Sequence, residues 1–270
     1  MNSIKTFIVD SFTNEPFKGN PAGVCLIKTQ IADDLMLSIA QELGLSETAF
    51  VTQEKEDTYG IRFFSPVMEI PLCGHATLAS SKVIFEQKPD LQKISFTTIQ
   101  GLHLEIVQIK NKISMRFPIY STEESQAPEQ LLNALGISTL ENVEYNKETN
   151  ILLIEIDDSE KLRSLQPDFE SLKKSHDSIN GVLVTSKSKQ VEFDFESRYF
   201  WPWSGTNEDP VTGGTHTFLT PYWSKRLNKR KMRSFQCSLR TGEMEVEIQD
   251  EKWFTIESNA RVVFEGMLRL

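Results

Sequence analysis

Arg62-Phe63-Phe64-Ser65-Pro66 returns half a chain later as Arg198-Tyr199-Phe200-Trp201-Pro202. Just downstream, Glu69-Ile70-Pro71-Leu72-Cys73-Gly74 returns as Glu208-Asp209-Pro210-Val211-Thr212-Gly213, after a slightly longer loop. A repeat of this kind points to a duplicated unit. In both copies a strand-like aromatic pattern passes through a proline and a glycine into a run of small, hydroxylic and apolar residues. The first such run, residues 76–85, is apolar almost all round, so the helix it predicts is buried. Each half therefore reads as a curled antiparallel sheet wrapped on one central apolar helix, an α+β class with two pseudo-symmetric domains. The length agrees, because 270 residues exceed one small core and suit two domains of ~100–150 residues.

Outward from the repeat, residues 4–9 and 24–27 read as strands joined by a proline- and glycine-bearing loop over 14–23. Asp33 is the expected cap of a helix whose apolar residues Leu35, Met36, Ile39, Ala40 and Leu43 keep helical period up to Gly44. Strands are predicted at 49–51 and 61–64, a meander over 94–117, and further strands at 150–156, 181–185, 191–195, 244–248 and 261–264. Helices are predicted over 125–136, 169–175 and 215–227. A domain change near Ile119 divides the chain into 1–118, rejoined by a strand over 261–270, and 119–260.

Hydrophobic residues at 39% and charged residues at 25% exclude disordered, collagenous and membrane-spanning classes. Apolar stretches such as 22–27 fall far short of the ~20 residues a membrane helix needs. With 29 basic and 38 acidic side chains the net charge is −9, which argues against nucleic acid as a partner. Cys25, Cys73 and Cys237 form no C-x-x-C pair and suit a reducing cytoplasm, and no histidine pair has metal-ligand spacing.

A glycine at each helix start lets an anion approach free backbone N–H groups, an attraction of ~0.3–1 kcal/mol at an exposed helix terminus. Gly74 and Gly213 are thus the expected anion cradle, facing each other across a cleft, and a small carboxylate is the expected guest. Glu47, between Gly44 and an apolar strand, reads either as a solvated turn glutamate or as a carboxyl whose pKa burial raises toward neutrality, a setting suited to acid–base work. Asp209 stands where the first copy has apolar Ile70, which marks it either for a task or as a helix cap. His75, at a helix start, is expected to stay neutral because the helix dipole disfavours imidazolium. His216 reads as a packing or capping residue. Racemisation by two thiols would need a cysteine at both helix starts, and Thr212 stands opposite Cys73; Cys73 then reads as a small turn residue. The basic run over 225–233 reads as a complement to a helix C-terminus. Trp201, Trp203, Tyr222 and Trp223 read either as ligand-lining or as core and interface residues.

Six ordered blocks carry a resemblance over nearly the whole chain: Val9-Asp10-Ser11-Phe12 with Gly19-Asn20-Pro21-Ala22, Leu45-Ser46-Glu47-Thr48, Pro71-Leu72-Cys73-Gly74-His75-Ala76, Ser197-Arg198-Tyr199-Phe200, Glu208 through Gly213, and Pro221-Tyr222-Trp223. They resemble the PhzF-like isomerase and epimerase family, related to diaminopimelate epimerase and proline racemase, and within it the branch of MAWD-binding-protein-like members. The resemblance implies two like-folded domains, a homodimer, and no metal or organic cofactor. It implies that Glu47 moves a proton on a carboxylated cyclic substrate, that Asp209 and His75 assist, and that Asn20, Cys73, Gly74, Gly213, Gly214 and Thr215 meet the substrate. One departure stands out: Thr212-Gly213-Gly214 replaces Thr-Gly-Ser, leaving Thr215 as the nearest hydroxyl. A non-catalytic binding or scaffold protein that keeps the fold is the alternative reading.

Overall fold

A computed structural model describes residues 3–270. It divides into two compact units, the residues up to Arg116 together with Ile256–Leu270, and Phe117–Thr255. Residues 1 and 2 of the expected first domain lie outside the described residues.

The first unit begins with β1 (Ser3–Ser11), β2 (Asn20–Ile27), α1 (Asp33–Leu43), β3 (Glu47–Gln53), β4 (Thr58–Phe64) and β5 (Glu69–Ile70). It continues with α2 (Gly74–Gln87), β6 (Lys93–Thr98), β7 (His103–Ile109) and β8 (Lys112–Pro118). The second unit holds β9 (Glu123–Glu124), α3 (Glu129–Leu135), β10 (Asn142–Asn146), β11 (Ile151–Glu155), α4 (Ser159–Ser164) and α5 (Phe169–Lys174). Then come β12 (Gly181–Lys187), β13 (Phe195–Trp201), β14 (Thr206–Asp209), α6 (His216–Leu227), β15 (Lys231–Gln236), β16 (Gly242–Ile248) and β17 (Trp253–Ser258). β18 (Ala260–Arg269) returns to the first unit and pairs antiparallel with β1.

Most pairings are antiparallel, as hairpin spacing predicts. Two neighbours in each unit run parallel, which the sequence reading did not foresee: β2 with β3 and β4 with β6, then β11 with β12 and β13 with β15. Each of these pairs is joined through helix, α1 or α2 in the first unit and α4–α5 or α6 in the second, and a crossover through a helix returns the chain in the same direction.

α2 packs on β1, β2, β3 and β18 and is buried along Ala76–Ser81 and Val83–Phe85. Its buried hydroxyls are satisfied within the helix, since Thr77, Ser80 and Ser81 each donate to the carbonyl four residues back at 2.7 Å. α6 plays the same part in the second unit. Trp223 is 1% exposed and stacks on Phe195 of β13 at 5.5 Å between centroids, while its Nε1 donates to Thr185 of β12 at 2.9 Å. Burying a side chain of this size is worth about 1.5–3 kcal/mol relative to exposure. Tyr222 and Trp223 are therefore core residues.

Several boundaries differ from expectation. β2 starts at Asn20 rather than Val24, because the loop before it closes at Gly19. Residues 191–194 are a turn, not a strand: Val191 is 99% exposed and Phe193 donates its N–H back to Gln190. α3 starts at Glu129 behind Pro128, which supplies the fixed φ of a helix entry. α1 starts at Asp33 itself, with Ala32 in the cap position, and the Asp33 carboxylate accepts from Arg62 instead. The basic run becomes the end of α6, a left-handed turn at Asn228 and then β15, with Lys229 on Asp194 and Arg233 on Glu243. Among the described residues no helix is long and apolar enough to cross a membrane.

Candidate active site

In the first unit Glu47 opens β3, and Cys73 and Gly74 open α2. β4 and β5 carry the chain from one to the other. Their turn is fixed by Arg62, whose Nε and Nη2 donate to both oxygens of Glu69 at 2.8 and 2.7 Å. The result brings Glu47 Oε2 within 3.1 Å of His75 Nε2, and Cys73 Sγ within 3.4 Å of His75 Nδ1. Ser46 Oγ lies 3.5 Å from the same Nε2. The Glu47 and His75 side chains are only 15% and 11% exposed, and Cys73 is 7% exposed. Ser11 Oγ donates to the His75 carbonyl at 2.7 Å and Thr77 N–H donates to the Cys73 carbonyl at 3.0 Å, so the turn is held on both sides.

The electrostatics reverse two expectations. Burial pushes the Glu47 carboxyl up, but the His75 hydrogen bond and charge, with Ser46, outweigh it and hold the group below its ordinary 4.5. Burial pushes His75 down, but the charge and hydrogen bond of Cys73 and those of Glu47 outweigh it and raise the imidazole well above its ordinary 6.5. The two neighbouring side chains, within hydrogen-bond reach, outweigh burial. Both shifts act in the same sense, toward carboxylate on Glu47 and imidazolium on His75.

Asn20 is 1% exposed at the head of β2, opposite Ser11 in the β1–β2 register. Its neighbourhood explains the first resembling block. Asp10 accepts from the Phe17 N–H at 2.6 Å, and Gly19, at φ 66°, leaves space that a β-carbon would deny, 2.0 Å from the Ser11 carbonyl oxygen. Ser11 and Ser46 are contributors that the sequence reading passed over, although both lie inside blocks it quoted.

Asp209, Gly213, Gly214 and Thr215 belong to the second unit. Asp209 ends β14, where its Oδ2 accepts a short hydrogen bond from Thr212 Oγ1 and its carbonyl accepts from Gln236 Nε2 at 2.7 Å. It is not the cap of α6, whose cap position is Thr215. Thr215 is 2% exposed and its hydroxyl donates to the Thr212 carbonyl at 3.0 Å. A β-carbon at Gly214 would meet no described atom within 4 Å. His216 is fully buried, its Nδ1 3.2 Å from the Thr212 carbonyl and its Nε2 3.0 Å from Ser234 Oγ, and burial lowers its pKa to about 4. It is a packing residue.

With the arrangement defined, residues 9–266 match the family described as phenazine biosynthesis-like protein. The chain belongs to that family. A phenazine biosynthesis-like domain-containing protein of Rattus norvegicus is 37% identical, with 97% of this chain and 98% of that protein covered. An uncharacterized isomerase of Pseudomonas aeruginosa is 39% identical, with 98% of each covered. A phenazine biosynthesis protein of the PhzF family from Enterococcus faecalis, known from its crystal structure, is 34% identical with a TM-score of 0.91 over the whole of both chains. The epimerase-like fold extends to a hydroxyproline epimerase from Agrobacterium vitis, at a TM-score of 0.60 and 9% identity, over 99% of this chain and 93% of that one.

Proposed function

We propose that the chain is an isomerase that moves a proton on a small carboxylate without a cofactor, with Glu47 as the base and His75 as its charged partner. The observation that carries this reading is the half-enclosed contact of 3.1 Å between Glu47 Oε2 and His75 Nε2 at the start of α2. An isomerase- or epimerase-type function is supported by family membership and by the Pseudomonas relative's name. A base held below 4.5 is already ionised at neutral pH, and an imidazolium beside it stabilises that charge until a proton arrives. Glu47 takes the proton from a carbon made acidic by an adjacent carboxylate or carbonyl. The electron pair of the broken C–H bond moves into the neighbouring π-system, and the neutral Glu47 carboxyl returns the proton at another carbon of the same molecule. Helix geometry leaves the N–H groups of Gly74, His75 and Ala76 without intrahelical partners, and these offer donors to the substrate anion.

In this reading Asp209 assists, and Asn20, Cys73, Gly74, Gly213, Gly214 and Thr215 meet the substrate. Solvent deuterium exchange into a panel of small cyclic and acyclic carboxylates, followed by NMR, tests the assignment. Glu47→Gln should reduce incorporation by roughly 10²–10⁴-fold, the usual contribution of a positioned acid–base group, and Asp209→Asn should slow it without abolishing it. Incorporation at the wild-type rate in Glu47→Gln would remove Glu47 from the chemistry.

A further inference from the structure

Glu47 from the start of β3 meets Cys73 and His75 from the start of α2, each with a different donor atom. Glu47 offers a carboxylate oxygen, Cys73 a sulfur and His75 an imidazole nitrogen, and the three ligand atoms lie within 4.8 Å of one another. We infer that this trio is a binding site for one soft divalent transition-metal ion of the zinc class, and that the bound ion arrests proton transfer. The arrest rests on the isomerase reading above; the binding does not.

The distances support it. A tetrahedral zinc ion with bonds of ~2.0–2.3 Å holds its ligand atoms roughly 3.3–3.6 Å apart. Glu47 Oε2 stands 3.1 Å and Cys73 Sγ 3.9 Å from His75 Nε2, and all three ligand atoms lie within 4.8 Å of one another, so side-chain shifts of up to about 1 Å complete three corners of the tetrahedron. The fourth corner stays open to water. Ligand type selects the ion: thiolate with imidazole suits zinc and cobalt, whereas magnesium and calcium require oxygen. The backbone on either side is already fixed by the Ser11 bond to His75 and the Thr77 bond to Cys73. Coordination releases the Cys73 thiol proton and the His75 ring proton to solvent, and engages the Glu47 oxygen that the substrate proton needs. The ion is thus an inhibitor, present once per chain, because the second unit has Gly181, Thr212 and Gly214 where the first has Glu47, Cys73 and His75.

Sequence spacing shows only the Cys73-Gly74-His75 pair at the start of α2; the third ligand, Glu47, comes from β3 and is brought in by the fold.

Cobalt(II) provides the direct probe, because a thiolate–cobalt bond absorbs in the near ultraviolet. Titrating the full-length, reduced protein with cobalt(II) chloride should produce that band with an end-point at one equivalent. The band should vanish in Cys73→Ser, persist in Cys237→Ser, and require at least about tenfold more cobalt in Glu47→Gln. Zinc should displace cobalt and magnesium should not, and deuterium exchange should cease at the same equivalence of zinc. Absence of the band in the wild type, its survival in Cys73→Ser, or displacement by magnesium would each overturn the site. If the band behaves as expected while metal-free protein exchanges no deuterium with any carboxylate, the isomerase reading and the arrest fall together and the metal site stands. If exchange is present and depends on Glu47 but no band forms, the reverse holds.

Discussion

In the first unit Arg62 grips Glu69 through two parallel hydrogen bonds at 2.8 and 2.7 Å, and in the second Arg198 grips Glu208 the same way at 2.8 and 2.8 Å. Phe50 faces Arg62 across β3 and β4 as Val184 faces Arg198 across β12 and β13. Three residues back along each strand stand Glu47 and Gly181. The same comparison sets Ile70 against Asp209, Cys73 against Thr212 and His75 against Gly214. The frame is held in common, and the titrating trio is confined to one copy. Where Glu47 projects its carboxylate, the second unit fills the space with Tyr199, whose hydroxyl lies 2.5 Å from a β-carbon built on Gly181. The two halves have kept a turn that presents a helix start and differ in the side chains placed on it, Glu47, Cys73 and His75 in one and Asp209 and Thr212 in the other.

The clamps give the largest test of the shared frame. The Arg198 side chain is 9% exposed and also donates to the carbonyls of Leu162 and Leu165 at the end of α4, at 3.2 and 2.7 Å. Arg62 is 16% exposed and its further partner, Asp33, is 70% exposed. Arg198→Ala strands the partly buried Glu208 carboxylate and the α4 carbonyls that Arg198 binds, and should cost about 3 kcal/mol by denaturant unfolding, the lower end for breaking a buried pair. Arg62→Ala should cost less than Arg198→Ala, and equal losses would show that burial does not separate the clamps.

Gly181→Ala comes next, at about 1–3 kcal/mol, because the added carbon pushes into the buried Tyr199 ring. A neutral result would mean that Tyr199 moves freely and does not define the second unit's counterpart of the Glu47 position. The smallest effect belongs to Gly214→Ser. Open space at that position should keep stability within about 0.5 kcal/mol, while the restored hydroxyl speeds deuterium exchange into a carboxylate substrate. Unchanged exchange would show that this hydroxyl is not used.

Much of the frame was legible because it is periodic or repeated. The apolar run of α2, the Gly44 stop of α1, which adopts φ 63°, and the duplicated turns all appear where the pattern predicts. What the pattern hid is short or chemically mixed. β15 disguised itself as a basic run, since Lys231 and Arg233 alternate outward with Met232 and Ser234 inward. The parallel pairs were invisible because strand partnership across a helix leaves no local signal. At the site, Glu47 and His75 were singled out from the residues and the resembling blocks, but the direction of each pKa shift was reversed. A helix dipole can be read from position along the chain; a thiol at 3.4 Å and a carboxylate at 3.1 Å can only be read from the fold.

These charge states fix the sign of the pH dependence. His75, raised in the folded state, contributes stability that is complete below 6.5 and is lost as pH rises through its elevated value. Glu47, depressed in the folded state, contributes stability that is complete above 4.5 and is lost as pH falls through its lowered value. The pair's contribution is therefore whole between 4.5 and 6.5.

Nitrogen-15 NMR titration of the His75 ring, in wild type and Glu47→Gln, measures the proposed acid–base pair directly. An imidazolium at pH 7 in the wild type, with a midpoint that falls when Glu47 loses its charge, is the predicted result. A ring that is neutral at pH 7, or a midpoint indifferent to Glu47, would contradict it.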